Sequence, residues 1–298
     1  MTRCYLDLHL HGYHGYDAQS FDPRDILQLS VLLGREGLGG FLATYVSASP
    51  DDLLRSMKSF LAAAGHEKGA SLLGLHLEGP FLHPARAGAH ARQFLRNPSL
   101  LEAKSWVKTA GPFLKLVTLA PELPGAEKVI RYLTSQNVRV QMGHTTATYV
   151  QARKAKQWGV TGVTHLFNAM GPRDRREASL ADFVLEDKDL YTELLCDGVH
   201  VSYDLLAYTF KKRPLNRILF VSDCCAASGF PAGHRSFFAG APVVTASDGS
   251  LRRTDGTLAA SGCTLPQSLN RIAQLGLRPL KGSILSAQMN PYRYFQLT

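Results

Sequence analysis

Glu78 closes an apolar run, SLLGLHLE, that reads as a buried strand; a Gly-Pro turn follows, and His90 stands twelve positions on. A carboxylate at the tip of a buried strand is costly without a partner, and a metal ion is an effective one. His144 in QMGHTTATY and His165 in GVTHLFNAM each stand behind a further apolar run, and Asp223 stands behind another in LFVSDCCAASG. Glu78, His144 and His165 make a three-ligand set of the kind a catalytic zinc takes, with a position left for water. A divalent ion there lowers the pKa of a bound water toward about 7 and so supplies hydroxide at neutral pH. Asp223 would take the proton and pass it to a leaving amine; its bland alternative is a helix cap or a core hydrogen-bond acceptor. His9 and His11 alternate in DLHLHG and so share one face of a strand, which leaves room for a second ion. His200, in DGVH, could donate to a carbonyl oxygen, or be a surface histidine. His14, His66, His76, His83 and His234 read as structural or surface residues, although His76 alternates with Glu78.

The elements that would carry these residues repeat in βα order. The strand candidates are CYLDLHLH, GGFLATYVSA, SLLGLHLE, PFLKLVTLAPE, VRVQMGH, VTGVTHLFN, YTELLCDGVH and NRILFVSD. Helical stretches run through PRDILQLSVLLGREG, DDLLRSMKSFLAAAGHEKG, GAEKVIRYLTSQN, TYVQARKAKQWG, LADFVLEDKD and SYDLLAYTFKKR. This order predicts parallel strands with right-handed crossovers. An open doubly wound sheet would gather ligands at a single switch point. Functional residues behind many different strands instead fit a closed (β/α)8 TIM-like barrel, whose active site collects at the strands' C-terminal ends. After about residue 230, FFAGAPVVTASDGSLRRTDGTL reads as a β-hairpin, and SLNRIAQLG and LKGSILSAQ as helices. With no linker or repeat, one domain over residues 1–298 is expected.

Composition bounds the rest. The 298 residues suffice for one large core. No apolar run reaches membrane-spanning length and no signal peptide is visible, so a cytoplasmic protein without membrane association is expected. Five cysteines without a CxxC pair argue against a disulfide framework and fit a reducing compartment. Cys224 and Cys225 read as small buried residues. The net charge of +9 is dispersed rather than gathered in a stripe, which speaks against a nucleic-acid partner and suits an anionic small substrate. The basic residues at 153–156 and 211–213 read as solvated helix faces. Only PRDRRE, residues 172–177, looks locally purposeful.

Six ordered motifs, HLEGPF...GAH, GHTTATY, THLFNAM, DGVH, SDCCAASG and GTLAASG, resemble those of the N-acetylglucosamine-6-phosphate deacetylases of the amidohydrolase superfamily, over nearly the whole chain. The resemblance implies a barrel of the metal-dependent hydrolase type that removes acetate from an amino-sugar phosphate with one or two divalent ions, zinc being the expected one. It implies Glu78, His144 and His165 as metal ligands, with His9 and His11 for a second ion, and Asp223 as acid/base. Ala89, His90, Asn168 and Ala169 would meet the sugar phosphate, His200 the acetamide region, and Leu258, Ala259 and Ala260 would line the substrate loop. Arg176, or its neighbours Arg173 and Arg175, would hold phosphate across a homodimer interface. The family's small β-sandwich domain is expected to be largely absent. N-acetylgalactosamine 6-phosphate as substrate, another amidohydrolase reaction and a non-catalytic sugar-phosphate binder are the alternatives.

Overall fold

Eight strands form the inner layer: β1 (Tyr5–Leu10), β2 (Leu38–Tyr45), β3 (Ser71–Glu78), β4 (Leu114–Leu119), β5 (Arg139–Met142), β6 (Gly162–Val163), β7 (Tyr191–Leu194) and β8 (Ile218–Phe220). The structure is a computed structural model describing residues 4–171, 176–276 and 280–296, so Arg173 and Arg175 lie outside the described residues. The strands pair in parallel in chain order from β1 to β8. Just past β8 the seam is stitched: the Asp223 amide donates to the His9 carbonyl at 3.0 Å and the His11 amide to the Cys224 carbonyl at 2.8 Å. The expected TIM-like barrel is therefore present and nearly closed.

The outer layer holds α1 (Pro23–Arg35), α2 (Pro50–Ala63), α3 (Leu100–Ala110), α4 (Ala126–Ser135), α5 (Tyr149–Trp158), α6 (Leu180–Glu186) and α7 (Tyr203–Lys212). Their starts are set locally. Asp22, Ser49, Ser99 and Ser202 accept backbone N–H groups of a first turn, and Thr148–Gln151 and Ser179–Asp182 form capping boxes. Helix α1 buries Ile26, Leu29 and Leu33, the spacing of one helix face, against the strands. Each such leucine contributes about 1.5–3 kcal/mol. Helix α3 has no counterpart in the sequence reading. Its buried face rests on Ala103, Trp106 and Ala110, while Leu101 is 80% exposed, so its apolar periodicity is weak.

Beyond β8 comes a four-stranded antiparallel sheet rather than a single hairpin: β9 (Arg235–Phe238), β10 (Ala241–Thr245), β11 (Leu251–Arg253) and β12 (Leu258–Ala260). Ser261 donates its amide to the Asp223 carbonyl at 3.0 Å, tying this sheet to the barrel rim. Helices α8 (Leu265–Gln274) and α9 (Leu280–Phe295) follow. Near the end of α9, Tyr294 joins a buried cluster with Leu8, Leu42, Leu116 and Leu219. Among the described residues no β-sandwich domain accompanies the barrel, and no helix is long and apolar enough to cross a membrane.

The barrel interior also carries a polar column. His76 Nε2 is 2.8 Å from Thr118 Oγ1, Thr118 Oγ1 is 2.6 Å from Thr164 Oγ1, and Thr164 donates to Gln141 Oε1 at 2.8 Å. Burial, with the neighbouring His9, drives the His76 pKa well below its ordinary value. Arg213, read from sequence as part of a solvated face, is buried; its guanidinium donates to the carbonyls of Val184 and Leu190.

Candidate metal centre and active-site pocket

Strand β3 delivers Glu78, the loop after β5 His144, and the segment after β6 His165. The Glu78 Oε1 atom lies 3.0 Å from His144 Nε2 and 2.8 Å from His165 Nε2, and the two imidazole nitrogens are 3.1 Å apart. A second set forms on the other carboxylate oxygen. Glu78 Oε2 is 3.5 Å from His9 Nε2 and 3.2 Å from His11 Nε2, while Asp223 Oδ1 is 3.5 and 3.3 Å from the same two nitrogens. Ligands about 2.0–2.2 Å from a shared ion sit about 3.4 Å apart in a tetrahedron. The second set matches that spacing, and the first is a few tenths of an ångström tighter.

The tautomers make the case chemically. His144 Nδ1 meets the Arg86 carbonyl at 2.7 Å, His11 Nδ1 the Thr44 carbonyl at 3.1 Å, and His9 Nδ1 the Glu193 carboxylate at 3.0 Å. Each acceptor requires a proton on Nδ1, so each neutral ring turns its Nε2 lone pair toward Glu78. Lone pairs and carboxylate oxygens crowded together repel unless a cation is shared among them. The electrostatics show the same demand. Burial opposes ionisation of Glu78, yet His9, His144 and His90 outweigh it and hold its pKa well below the ordinary range. Without such a cation a proton takes its place: burial opposes charge on His11, but Asp223 and Glu78 push its pKa up to about 9. The donor set fits a divalent cation, with two overlapping positions that share Glu78.

His90 has a different duty at this geometry. Its Nδ1 accepts the Ser47 amide at 3.1 Å, so its Nε2–H donates to Glu78 Oε2 at 3.2 Å. Burial lowers its pKa to about 4. The backbone around the centre is strained: His144, His165, Ala169 and Asp223 all have positive φ, of 47°, 27°, 49° and 54°. Non-glycine residues there cost about 1–3 kcal/mol each. Neighbouring hydrogen bonds hold them, among them His83 N–H to the His144 carbonyl at 2.9 Å and the bonds of the Asp223 backbone to His9 and Ser261.

Above the centre opens a cavity of 320 Å³. Glu78, His144, His165, His11 and Asp223 form its floor; Ala89, His90, Asn168 and Ala169 one wall; His200, Leu258 and Ala259 another. His9 lies beneath, fully buried, and Ala260 is buried in the antiparallel sheet. Arg176 is exposed and does not line this cavity of its own chain. Phe238 of β9 packs against the His11 ring, 5.2 Å between centroids.

Three further residues belong to the site. Asp197 Oδ2 takes His200 Nδ1 at 2.7 Å while its Oδ1 accepts the His200 amide at 3.0 Å. Glu193, fully buried on β7, holds His9 and accepts the His165 amide at 3.3 Å. Arg86 lines the cavity, and its buried Nε has no hydrogen-bond partner among the described residues. A signal for Glu193 was present: it is a lone carboxylate inside the apolar run YTELLC, the same oddity that marks Glu78 in its own strand.

Burial opposes charge on both members of the Asp197–His200 pair, but each partner outweighs it, leaving Asp197 below and His200 above its ordinary pKa. Asp197's contribution to stability is therefore lost as pH falls below about 4, and that of His200 as pH rises beyond about 6.5. In metal-stripped protein, Asp197→Asn should lower the melting temperature more at pH 5.5 than at pH 9. An equal loss at both values would mean the pair is not charged.

No family model matches the chain. The chain is 35% identical over 263 residues to N-acetylglucosamine-6-phosphate deacetylase of Bacillus subtilis (strain 168), a match that covers 86% of this chain and 65% of that relative. It is 33% identical over 294 residues to N-acetylgalactosamine-6-phosphate deacetylase of Escherichia coli O157:H7, covering 97% of this chain and 76% of the relative. Among solved structures, a variant of the Mycobacterium smegmatis N-acetyl-D-glucosamine-6-phosphate deacetylase in complex with N-acetyl-D-glucosamine-6-phosphate superposes with a TM-score of 0.90 at 32% identity, covering 99% of this chain and 78% of that one. With the barrel in agreement with these likenesses, the chain belongs to the N-acetylglucosamine-6-phosphate deacetylase family.

Proposed function

We propose that the protein hydrolyses the acetamide of N-acetylglucosamine 6-phosphate to glucosamine 6-phosphate and acetate. The observation that carries this reading is the meeting of Glu78, His144 and His165 donor atoms within 3.1 Å, beside Asp223 on the floor of an open cavity. These residues would hold one divalent ion, with His9, His11 and Asp223 available to a second; imidazole and carboxylate donors suit zinc. When bound, the cation supplies a nucleophile at neutral pH and positive charge for the acetamide carbonyl.

The chain's own groups do the rest. Asp223 is 14% exposed at its side chain against 4% for Glu78 and none for His9, so it is the donor-set carboxylate with the most access to substrate. It takes a proton from the attacking water and returns it to the departing amine nitrogen. His200 has its Nδ1 committed to Asp197, so its Nε2 donates to the acetamide oxygen only when the ring is protonated. Asp197 favours that state. Ala89, His90, Asn168, Ala169, Leu258 and Ala259 would bound the sugar.

Arg176 stands outside its own cavity, which suits a homodimer in which Arg176 of the partner subunit reaches the phosphate; Arg86 is the cation within the same chain. Arg176→Ala should raise KM for the phosphorylated sugar at least tenfold and leave the unphosphorylated sugar nearly unchanged. Equal effects on both sugars would remove this assignment. A reducing, cytoplasmic setting agrees with the free cysteines, four of which are buried.

The direct test is acetate release by the zinc-loaded protein from the two epimeric N-acetylhexosamine 6-phosphates. A higher kcat/KM for the gluco epimer is expected. Preference for the galacto epimer would assign the substrate of the Escherichia coli relative, and a metal-bearing protein that releases no acetate from either would overturn the reading.

A further inference from the structure

The catalytic cavity leaves much of the +9 charge of the chain unexplained, and a second cavity accounts for part of it. We infer that the base of the barrel carries a separate binding site for a small phosphate ester, built by Arg139, Arg217, Arg293 and Lys156 around Tyr191 and Tyr294. Its position follows from the topology. Arg139 opens β5, Tyr191 opens β7, Thr161 immediately precedes β6 and Arg217 immediately precedes β8. All four stand at the N-terminal ends of strands, whereas the metal centre lies at the C-terminal ends. The cavity they line measures 320 Å³, the same as the catalytic one.

The charge balance there is lopsided. Asp189 is the only carboxylate among the described residues that line the cavity, and it is held by Lys156 at 2.9 Å. Lys156 has a second partner, Asp187, at 2.5 Å. Arg139, Arg217 and Arg293 have no carboxylate partner among the described residues. Gathering three such guanidinium groups at one cavity is unfavourable until an anion enters.

Two of the three are already oriented. The Arg139 guanidinium stands 5.5 Å from the Tyr294 ring centroid, and that of Arg217 stands 4.8 Å from the Tyr191 ring. Arg217 Nη1 also donates to the Tyr191 hydroxyl at 2.9 Å. The two rings lie 4.6 Å apart, and Tyr294 is fixed by burial and by its hydroxyl contact with Thr161 Oγ1 at 2.8 Å. Planar forks held on aromatic faces, with N–H donors to spare, match the oxygens of a phosphate group. A cavity of this volume admits a hexose phosphate. A nucleic acid would instead require a stripe of charge along the surface.

The probe is glucose 6-phosphate, which carries the phosphate ester but no acetamide. Isothermal titration of the full, metal-loaded chain at 150 mM salt compares the unchanged protein with Arg139→Gln/Arg217→Gln and with Arg293→Gln, the last on an exposed turn of α9. One binding event per chain should weaken at least thirtyfold in the double variant and about tenfold in Arg293→Gln. KM and kcat for deacetylation should stay within twofold in both. Three results would overturn the site: isotherms unchanged by either variant, binding lost wholly in Glu78→Gln and so confined to the metal pocket, or no heat at this salt concentration. If the double variant fails to fold, Arg293→Gln alone decides between these outcomes.

Discussion

Glu78→Gln should purify with less than about a tenth of the cation carried by the unchanged chain, and acetate release should fall in step. Glu78 is the single residue common to both donor sets, Oε1 facing His144 and His165 and Oε2 facing His9 and His11. Glutamine keeps the size but removes the charge, and it offers an NH2 group to one set of nitrogen lone pairs. Loss of an outer-shell partner alone weakens metal binding about 10–100-fold, so a ligand shared by two positions should cost more than about a hundredfold. Elemental analysis after dialysis reads the result. Near-normal metal content would show that the histidines suffice and that Glu78 has another purpose.

Asp223→Asn should lower turnover by about 10²–10⁴-fold while the Glu78–His144–His165 ion is retained. Asparagine is the appropriate replacement because Asp223 has φ of 54°, a region that asparagine tolerates better than most residues. The bonds of its backbone to His9 and Ser261 are untouched by the change. The measurement pairs kcat with ion count. A loss below tenfold would assign proton transfer to another group. A fall from two ions to one would identify Asp223 as a ligand of the second position as well as the proton carrier.

Much of this was legible in the sequence because cost leaves a mark there. A carboxylate or imidazole behind an apolar β-run is improbable without a purpose, and Glu78, His144, His165 and Asp223 each carried that mark. The βα alternation revealed the barrel for a similar reason, since alternating strand and helix patterns allow few packings. What escaped detection was what depends on distance in space. Glu193 meets His9 of β1 and the His165 amide only once the barrel has formed, whereas Asp197 binds His200 three residues on, within the DGVH motif itself. His90 was singled out, but the Ser47 amide that fixes its tautomer lies on another loop, forty-three residues away. Arg213 looked solvated because a basic residue at a helix end usually is; here it satisfies two carbonyls of neighbouring segments. Helix α3 was hidden by alanines, whose burial leaves little hydrophobic signature.

The seam between β8 and β1 has a consequence for how the molecule is made. His9 is synthesised early, yet its carboxylate partner Glu193 lies 184 residues further along, and the main-chain bond from Asp223 that pins its carbonyl comes later still. Contacts of such long range form slowly and leave unpaired strand edges waiting during translation. The candidate donor set is thus complete only when the barrel closes, and a growing chain that ends before β7 presents His9 without its carboxylate partner.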